Sequence, residues 1–144
     1  MRAFTFNSQP ARVIFGDGAL ANLPDELARL EVKKVLVLST RPQQLAAQSI
    51  ADQIGARAAG VFAGAVMHVP IESAQKAVTQ ARHLQADCLL AVGGGSTTGL
   101  AKAMALQIDL PIVAIPTTYA GSKMTPIFGI TEAGLKKVPV SSVL

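Results

Sequence analysis

The stretch LLAVGGGSTTGLAK, residues 89–102, decides how this chain folds. Its first part continues an apolar run that starts at Cys88, and a short run of this kind is typical of a strand buried on both faces of a sheet. Three glycines at 93–95 end the strand, and a helical pattern begins at about Thr97. The stretch therefore predicts a strand, a tight turn and the N-terminus of a helix.

The glycine turn predicts an anion site. Backbone N–H groups at a helix N-terminus point at one place, and the helix dipole adds partial positive charge there. Glycine lets a ligand approach the backbone closely, and the hydroxyl groups of Ser96 and Thr97 can cap the helix or add donors. An ordinary serine-capped turn needs fewer glycines, so the pattern favours a phosphate or pyrophosphate. The spacing is not the strict G-x-G-x-x-G fingerprint, because Gly99 comes one residue late.

Apolar runs and helical patterns alternate on both sides of this stretch. Strands are predicted at residues 34–38, 58–62, 88–92 and 112–115, with an extended segment at 127–131. Helices are predicted at residues 19–30, 43–54, 72–84 and 97–106, the first starting nearer Leu23 because of Pro24. Two β-prone runs at 3–6 and 12–15 predict an N-terminal β-hairpin. The pattern predicts an α/β fold, with a Rossmann-like parallel sheet and helices on both faces.

Composition narrows the class of protein. Half of the 144 residues are hydrophobic and 15% are charged, which excludes a disordered chain. No apolar run is long enough to cross a membrane, the N-terminal residues do not form a secretory signal, and the single cysteine fits a reducing compartment. The net charge is +4, but the basic residues are scattered rather than clustered. We therefore expect a cytoplasmic domain without a nucleic-acid or membrane partner, whose charge suits an anionic ligand.

Polar residues follow three of the predicted strands. They are Ser39 with Thr40, the turn at 93–96, and Thr117 with Thr118. Ligands of parallel sheets bind at the carboxyl ends of the strands, so these three segments predict one binding site.

Several motifs resemble the iron-containing alcohol dehydrogenase superfamily, and within it the maleylacetate reductase branch. The motifs are GGGSTTGLAK at 93–102, PTTYAGS at 116–122, MTPI at 124–127 and AVMHVP at 65–70. The superfamily usually has Asp at the position of Gly99, so this glycine favours the reductase branch. Gly99 and the Tyr119 segment argue against the alternative of another iron-type alcohol or glycerol dehydrogenase.

The resemblance implies a nucleotide-binding domain for NADH or NADPH. Gly93, Gly94, Gly95 and Ser96 would hold the pyrophosphate of the cofactor. Thr117 and Thr118 would contact the nucleotide on its adenosine and ribose side, and Thr40 and Gln43 would lie near the adenosine ribose. The sequence does not choose between the two cofactors.

The resemblance also implies a reaction. The substrate is maleylacetate or a substituted relative, a small dicarboxylate that is reduced to 3-oxoadipate in the degradation of aromatic compounds, and the full-length family forms homodimers. The candidate catalytic residues are His68 and Tyr119. An ordinary loop histidine is an equal alternative for His68, and loop packing is the stronger alternative for Tyr119.

Two departures from the family qualify the expected activity. Lys123 stands where the family usually has Glu. The nucleotide-binding domain is expected at residues 1–137, followed by a divergent tail at 138–144, without the helical domain that carries the metal ligands of metal-dependent members. We therefore expect no metal site in this chain and an incomplete enzyme, and a cofactor-binding module without full catalysis is the alternative.

Two further side chains are singled out by their type. Cys88 leads into the apolar run and is predicted to be an unreactive core residue. Lys102 follows the predicted phosphate site, and the sequence leaves open whether it supports the phosphate charge or is solvated.

Overall fold

The computed structural model describes residues 19–116, 130–132 and 135–137. The helices are α1 (Leu23–Arg29), α2 (Gln44–Ile54), α3 (Ile71–His83) and α4 (Gly95–Ile108). The strands are β1 (Val35–Leu38), β2 (Ala58–Phe62), β3 (Cys88–Gly93), β4 (Ile112–Pro116), β5 (Ile130–Glu132) and β6 (Leu135–Lys137). Short 3₁₀ turns cover Ala19–Asn22, Arg41–Gln43 and Gly55–Arg57.

The first four strands form one sheet in the order β2-β1-β3-β4. Each neighbouring pair is parallel. The two central strands, β1 and β3, are buried along their whole length, as expected for strands covered on both faces. The parallel α/β sheet predicted from the alternating pattern is confirmed.

Helices cover both faces of this sheet. On one face, Leu36 and Leu38 of β1 belong to a core cluster with residues of α3 and α4. On the other face, Val35 and Val37 belong to a second cluster with residues of α1 and α2. The alternation along β1 follows from the two-residue period of a strand, and it confirms the prediction of a three-layer arrangement.

Asp87 ties the start of β1 to the start of β3. Its carboxylate accepts hydrogen bonds from the backbone N–H groups of Lys33 at 2.8 Å and Lys34 at 2.9 Å. The backbone N–H of Asp87 in turn donates to the carbonyl of Lys34 at 2.8 Å. These bonds hold the register in which Val35 lies beside Cys88.

Helices α1 and α2 lie where the sequence predicts them, with shorter bounds. A 3₁₀ turn replaces the start of the helix predicted at 19–30, and Pro24 lies in the first turn of α1. A second 3₁₀ turn precedes α2, and Gly55 ends α2 with a φ of 62°. Gly55 thus acts as the predicted C-terminal cap, because a positive φ is easily adopted by glycine.

Helix α4 differs from its prediction at the end that faces the candidate site. It begins at Gly95 rather than at Thr97, and its N-cap is Gly94. Among the described residues no side-chain hydrogen bond caps this terminus, so of the two possible roles of Ser96 and Thr97 the structure does not show capping. The first N–H groups of a helix have no helical acceptor, and an uncapped terminus leaves them available to a ligand.

Strand β4 is less buried than expected, and strand β6 was not expected at all. The strand at 112–115 was expected to be buried, but the residues of β4 are only partly buried or exposed. The extended segment at 127–131 corresponds in part to β5, which pairs with β6 in an antiparallel hairpin that the sequence did not predict. Lys136 and Lys137 give β6 no apolar pattern from which a strand could be recognised.

Several predicted features lie outside the described residues. They are the hairpin at 3–6 and 12–15, the loop from Thr117 to Thr125, and the tail at 138–144. Within the described part of the chain, no helix is long and apolar enough to cross a membrane.

Candidate functional site

The strand order places a crevice between the carboxyl ends of β1 and β3. From β1 the chain continues to α2 on one face of the sheet, and from β3 it continues to α4 on the other face. The two connections therefore diverge, and ligands of doubly wound sheets bind at such a reversal of strand order. The predicted polar residues after β1 and the glycine turn after β3 both lie at this point.

The glycine turn is shaped by close neighbours on one side and open space on the other. Gly93 has a φ of 139°, and a Cβ atom built there would overlap the side-chain oxygen of Gln43 and lie 2.9 Å from Oγ1 of Thr97. Gly95, the first residue of α4, is exposed, and a Cβ built on it meets no atom within 4 Å. Glycine is thus required by packing at 93, while at 95 its absence of a side chain keeps space open before the helix.

The structure brings three of the predicted cofactor-binding residues together. The Thr40 hydroxyl donates a hydrogen bond to Oε1 of Gln43 at 3.3 Å, and the Gln43 side chain reaches Gly93. This contact connects the segment after β1 with the segment after β3 across the crevice.

Two buried hydroxyl groups near this edge have no hydrogen-bond partner among the described residues. They are Oγ of Ser39, at the end of β1, and Oγ1 of Thr97, in the first turn of α4, and both residues are 0% exposed. An unsatisfied buried hydroxyl costs about 1–3 kcal/mol. Such a cost calls for an explanation, and polar ligand atoms bound in the crevice are one.

The remaining predicted contacts of the nucleotide follow β4. Pro116, the last residue of β4, pairs with Gly93 in the parallel ladder. Thr117, Thr118 and Tyr119 come next in the sequence but lie outside the described residues. Their roles therefore stay predictions.

His68 lies on an exposed turn that is strained. The turn is closed by a hydrogen bond from the N–H of Val69 to the carbonyl of Val66 at 3.3 Å. His68 and Val69 both have positive φ values, 64° and 38°, which are costly for residues other than glycine and rare for a β-branched side chain. His68 is exposed. Its catalytic role is still a prediction.

Val69 fixes this turn to α4. Its side chain is 3% exposed, and a Cβ built on Gly99 would lie 3.0 Å from Cγ2 of Val69. Gly99 is four residues, about one helical turn, from Gly95. The absence of a side chain at 99 thus has a packing reason that sequence spacing did not reveal.

Lys102 is fully buried, at 0% exposed, so the interpretation that it is solvated is wrong. Burial lowers the pKa of its ammonium group from 10.5 to about 8, because desolvation disfavours the charged form. The burial of Lys102 could not be predicted from the sequence, because lysine side chains are rarely buried.

This pKa predicts how stability depends on pH. Between about pH 8 and 10.5 the unfolded chain binds more protons at residue 102 than the folded chain, so Lys102 should contribute a rise of up to about 3 kcal/mol in the free energy of unfolding. Above about pH 9, Cys88 contributes in the opposite direction, because its thiol keeps its proton longer in the folded chain, so the contribution of Lys102 is read from the difference between variants. Urea unfolding between pH 7.5 and 10 measures the rise. Lys102→Met should abolish it, while Lys76→Met, at an exposed position of α3, should keep it. Parallel pH curves for Lys102→Met and the native chain would contradict the prediction.

Cys88 is a core residue, as predicted. It is 0% exposed, and burial, with a smaller contribution from Asp87, raises the pKa of its thiol to about 12. A thiol that stays protonated is a poor nucleophile. Among the described residues, no three His, Cys, Asp or Glu side chains lie together where they could hold a metal ion.

The assembled site can bind an anion that also carries polar groups. Uncapped helical N–H groups, open space at Gly95 and the buried hydroxyl of Thr97 suit a phosphate. The sequence predicts a role in this site for the glycines, Thr40 and Gln43, but it does not distinguish Ser39 and Thr97 by their missing partners. Only burial and the hydrogen-bond network reveal that signal.

Known proteins are similar to this chain in both sequence and fold. The chain is 53% identical over 137 residues to the maleylacetate reductase of Burkholderia cepacia, an alignment that covers 95% of this chain and 39% of that protein. The crystal structure of maleylacetate reductase from Agrobacterium tumefaciens matches with a TM-score of 0.91 at 46% identity, over 98% of this chain and 40% of that one. The structure from Rhizobium sp. strain MTP-10005 matches with a TM-score of 0.91 at 47% identity, with the same coverage.

These matches cover nearly all of this chain but less than half of each relative. The chain spans about 39% of the length of the curated relative from Burkholderia cepacia. Residues 10–143 match the sequence model of the iron-containing alcohol dehydrogenases. The chain therefore belongs to the iron-containing alcohol dehydrogenase family.

Proposed function

We propose that this chain is the nucleotide-binding part of a maleylacetate reductase and that it binds NADH or NADPH between the ends of β1 and β3. The observation that carries the proposal is the uncapped glycine N-terminus of α4 beside the unpartnered, fully buried Oγ1 of Thr97. The similarity to maleylacetate reductases at about half identity supports the choice of reaction. We place the nucleotide-binding domain at residues 1–137.

The described residues fit a pyrophosphate. Gly95 leaves room for it, the N–H groups of the first turn of α4 can donate to its oxygens, and Ser96 adds a hydroxyl in the same turn. Thr97 gains a partner for its buried hydroxyl when an acceptor or donor enters the crevice. Each charge-assisted hydrogen bond of this kind contributes about 1.5–3 kcal/mol.

Other residues of the proposed site bind the rest of the nucleotide. Thr40 and Gln43, held together by their hydrogen bond, lie beside the adenosine ribose. Thr117 and Thr118 contact the nucleotide from the end of β4, in the part of the chain outside the described residues.

In the whole enzyme, the bound nicotinamide supplies the hydride that reduces the carbon–carbon double bond of maleylacetate, giving 3-oxoadipate. His68 and Tyr119 are the proposed substrate-facing residues. The turn that carries His68 packs against α4 through Val69 and Gly99. The proposed assembly is a cytoplasmic homodimer acting on a small dicarboxylate.

Cofactor binding and turnover test the proposal separately. Titration of the chain with NADH, followed by nicotinamide fluorescence, should show saturable binding to one site. Oxidation of NADH at fixed maleylacetate should then appear when the remaining length of a maleylacetate reductase relative is supplied in fusion or as a second chain. Absence of any nucleotide binding by the folded chain would refute the proposal. Turnover with glycerol or a simple alcohol in place of maleylacetate would assign the chain to another branch of the family.

A further inference from the structure

Beyond the general nucleotide site, the segment after β1 carries a charge that the proposed function does not use. Arg41 directly follows Thr40 and begins the 3₁₀ turn Arg41–Gln43. Arg41 is exposed, and no hydrogen bond or ion pair to the described residues engages its guanidinium. The guanidinium is therefore available to a ligand at the end of β1.

Carboxylates are missing from the described segments that follow β1, β2 and β3 at this edge of the sheet. Segments 39–46 and 63–70, which follow β1 and β2, and segment 93–102, which begins at the last residue of β3, have no Asp or Glu. The first carboxylate after the second segment is Glu72 on α3, which packs on the face opposite α2. In dinucleotide-binding folds, a carboxylate beside the adenosine ribose holds the free 2′-hydroxyl of NADH, whereas a nearby Arg accommodates the 2′-phosphate of NADPH.

The proposed site places the ribose beside Arg41. Thr40 and Gln43, the residues assigned to the ribose, stand immediately before and two positions after it, and their hydrogen bond holds the ends of this short turn together. A guanidinium recognises a phosphate through two parallel hydrogen bonds, which makes Arg the side chain suited to this group.

We propose, on the basis of the proposed function, that Arg41 binds the 2′-phosphate of NADPH and makes NADPH at least as good a ligand of this chain as NADH. The absence of a carboxylate removes the repulsion that a 2′-phosphate meets in a strict NADH site. The added phosphate brings about two negative charges at neutral pH, and the described edge carries positive Arg41 with no opposing acid.

Four titrations test the assignment at low ionic strength, using NADH and NADPH with the native chain and with Arg41→Gln. The native chain should bind NADPH at least as tightly as NADH. Arg41→Gln should weaken the binding of NADPH about tenfold, which is the effect of losing a charge-assisted pair at an exposed site. The affinity for NADH should change by less than about twofold. Raising the salt concentration should reduce the preference for NADPH in the native chain, but not in the variant.

Arg82→Gln is the matched control. Arg82 is also exposed, but it lies in the last turn of α3, away from the end of β1, so its loss removes the same charge without touching the site. It should leave the ratio of the two dissociation constants unchanged.

Each outcome separates this inference from the proposed function. If neither nucleotide binds the folded chain, the proposed function itself fails. If NADH binds and NADPH is at least tenfold weaker, or if Arg41→Gln leaves the ratio unchanged, the site exists but Arg41 does not recognise the phosphate. Adenosine 2′,5′-bisphosphate, which lacks the nicotinamide, should show the same dependence on Arg41, and independence from Arg41 would overturn the assignment.

Discussion

Gly95→Val is expected to weaken the binding of NADH by at least about 100-fold while leaving the stability of the chain nearly unchanged. The added isopropyl group enters the open space before α4, where a Cβ meets no atom within 4 Å. It should therefore fill the proposed place of the phosphate and remove two or more charge-assisted hydrogen bonds, each contributing about 1.5–3 kcal/mol. The exposed position has no packing to disturb, so stability should change by no more than about 0.5 kcal/mol.

Fluorescence titration with NADH and thermal melting of the same preparation measure the two effects together. Ala46→Val is the matched control, since Ala46 is exposed in the first turn of α2 and the substitution adds a β-branched side chain outside the glycine turn. It should bind NADH as the native chain does. Native affinity in a folded Gly95→Val chain would show that the space before α4 does not hold the phosphate.

Gly93→Ala should instead lower the stability of the chain, by about 3 kcal/mol. Its φ of 139° is unfavourable for a residue with a side chain, and the new Cβ overlaps the side-chain oxygen of Gln43 and lies 2.9 Å from Oγ1 of Thr97. Gln43 must move, which breaks its hydrogen bond with Thr40. For a chain of this length, the loss corresponds to a fall in melting temperature of about 6–12 °C.

Gly55→Ala separates the cost of the backbone from the cost of the overlap. Gly55 also has a positive φ, 62°, but a Cβ built there meets nothing within 4 Å. Only the cost of the backbone conformation remains, so we expect the free energy of unfolding to fall by about 1–2 kcal/mol. Equal losses in the two variants, measured by urea unfolding, would mean that the contact between Gln43 and Gly93 does not constrain the turn.

The sheet could be predicted because its central strands are buried on both faces. A continuous apolar run such as VLVL at 35–38 strongly indicates a strand in the centre of a parallel sheet. In the structure, β1 is buried along its whole length and pairs in parallel with β3. The start of α4 was predicted two residues late, because glycine disfavours helix interiors and the pattern of apolar residues begins only beyond the turn. The edge position of β4 and the short strand β6 depend on neighbours that the local pattern does not contain.

The candidate site was predictable in its backbone but not in its side-chain environment. Three glycines after a strand are visible in the sequence, and so are Thr40 and Gln43. That Thr97 is buried without a partner, that Lys102 is buried and that Val69 occupies the space beside Gly99 are properties of packing between distant segments. Residue type alone predicts the opposite for Lys102, since lysine side chains are usually solvated.

The bonds of Asp87 to the start of β1 have a consequence for the newly made chain. Lys33 and its partner Asp87 are 54 positions apart, so β1 emerges long before β3 can pair with it. At roughly 5–20 residues per second, the delay is about 3–10 s. During that time the segment VLVL is exposed to aggregation, and Lys33 and Lys34 immediately before it provide the charges that act as gatekeepers against strand-to-strand association. The same two residues whose N–H groups later bind Asp87 thus protect β1 during synthesis until its partner strand arrives.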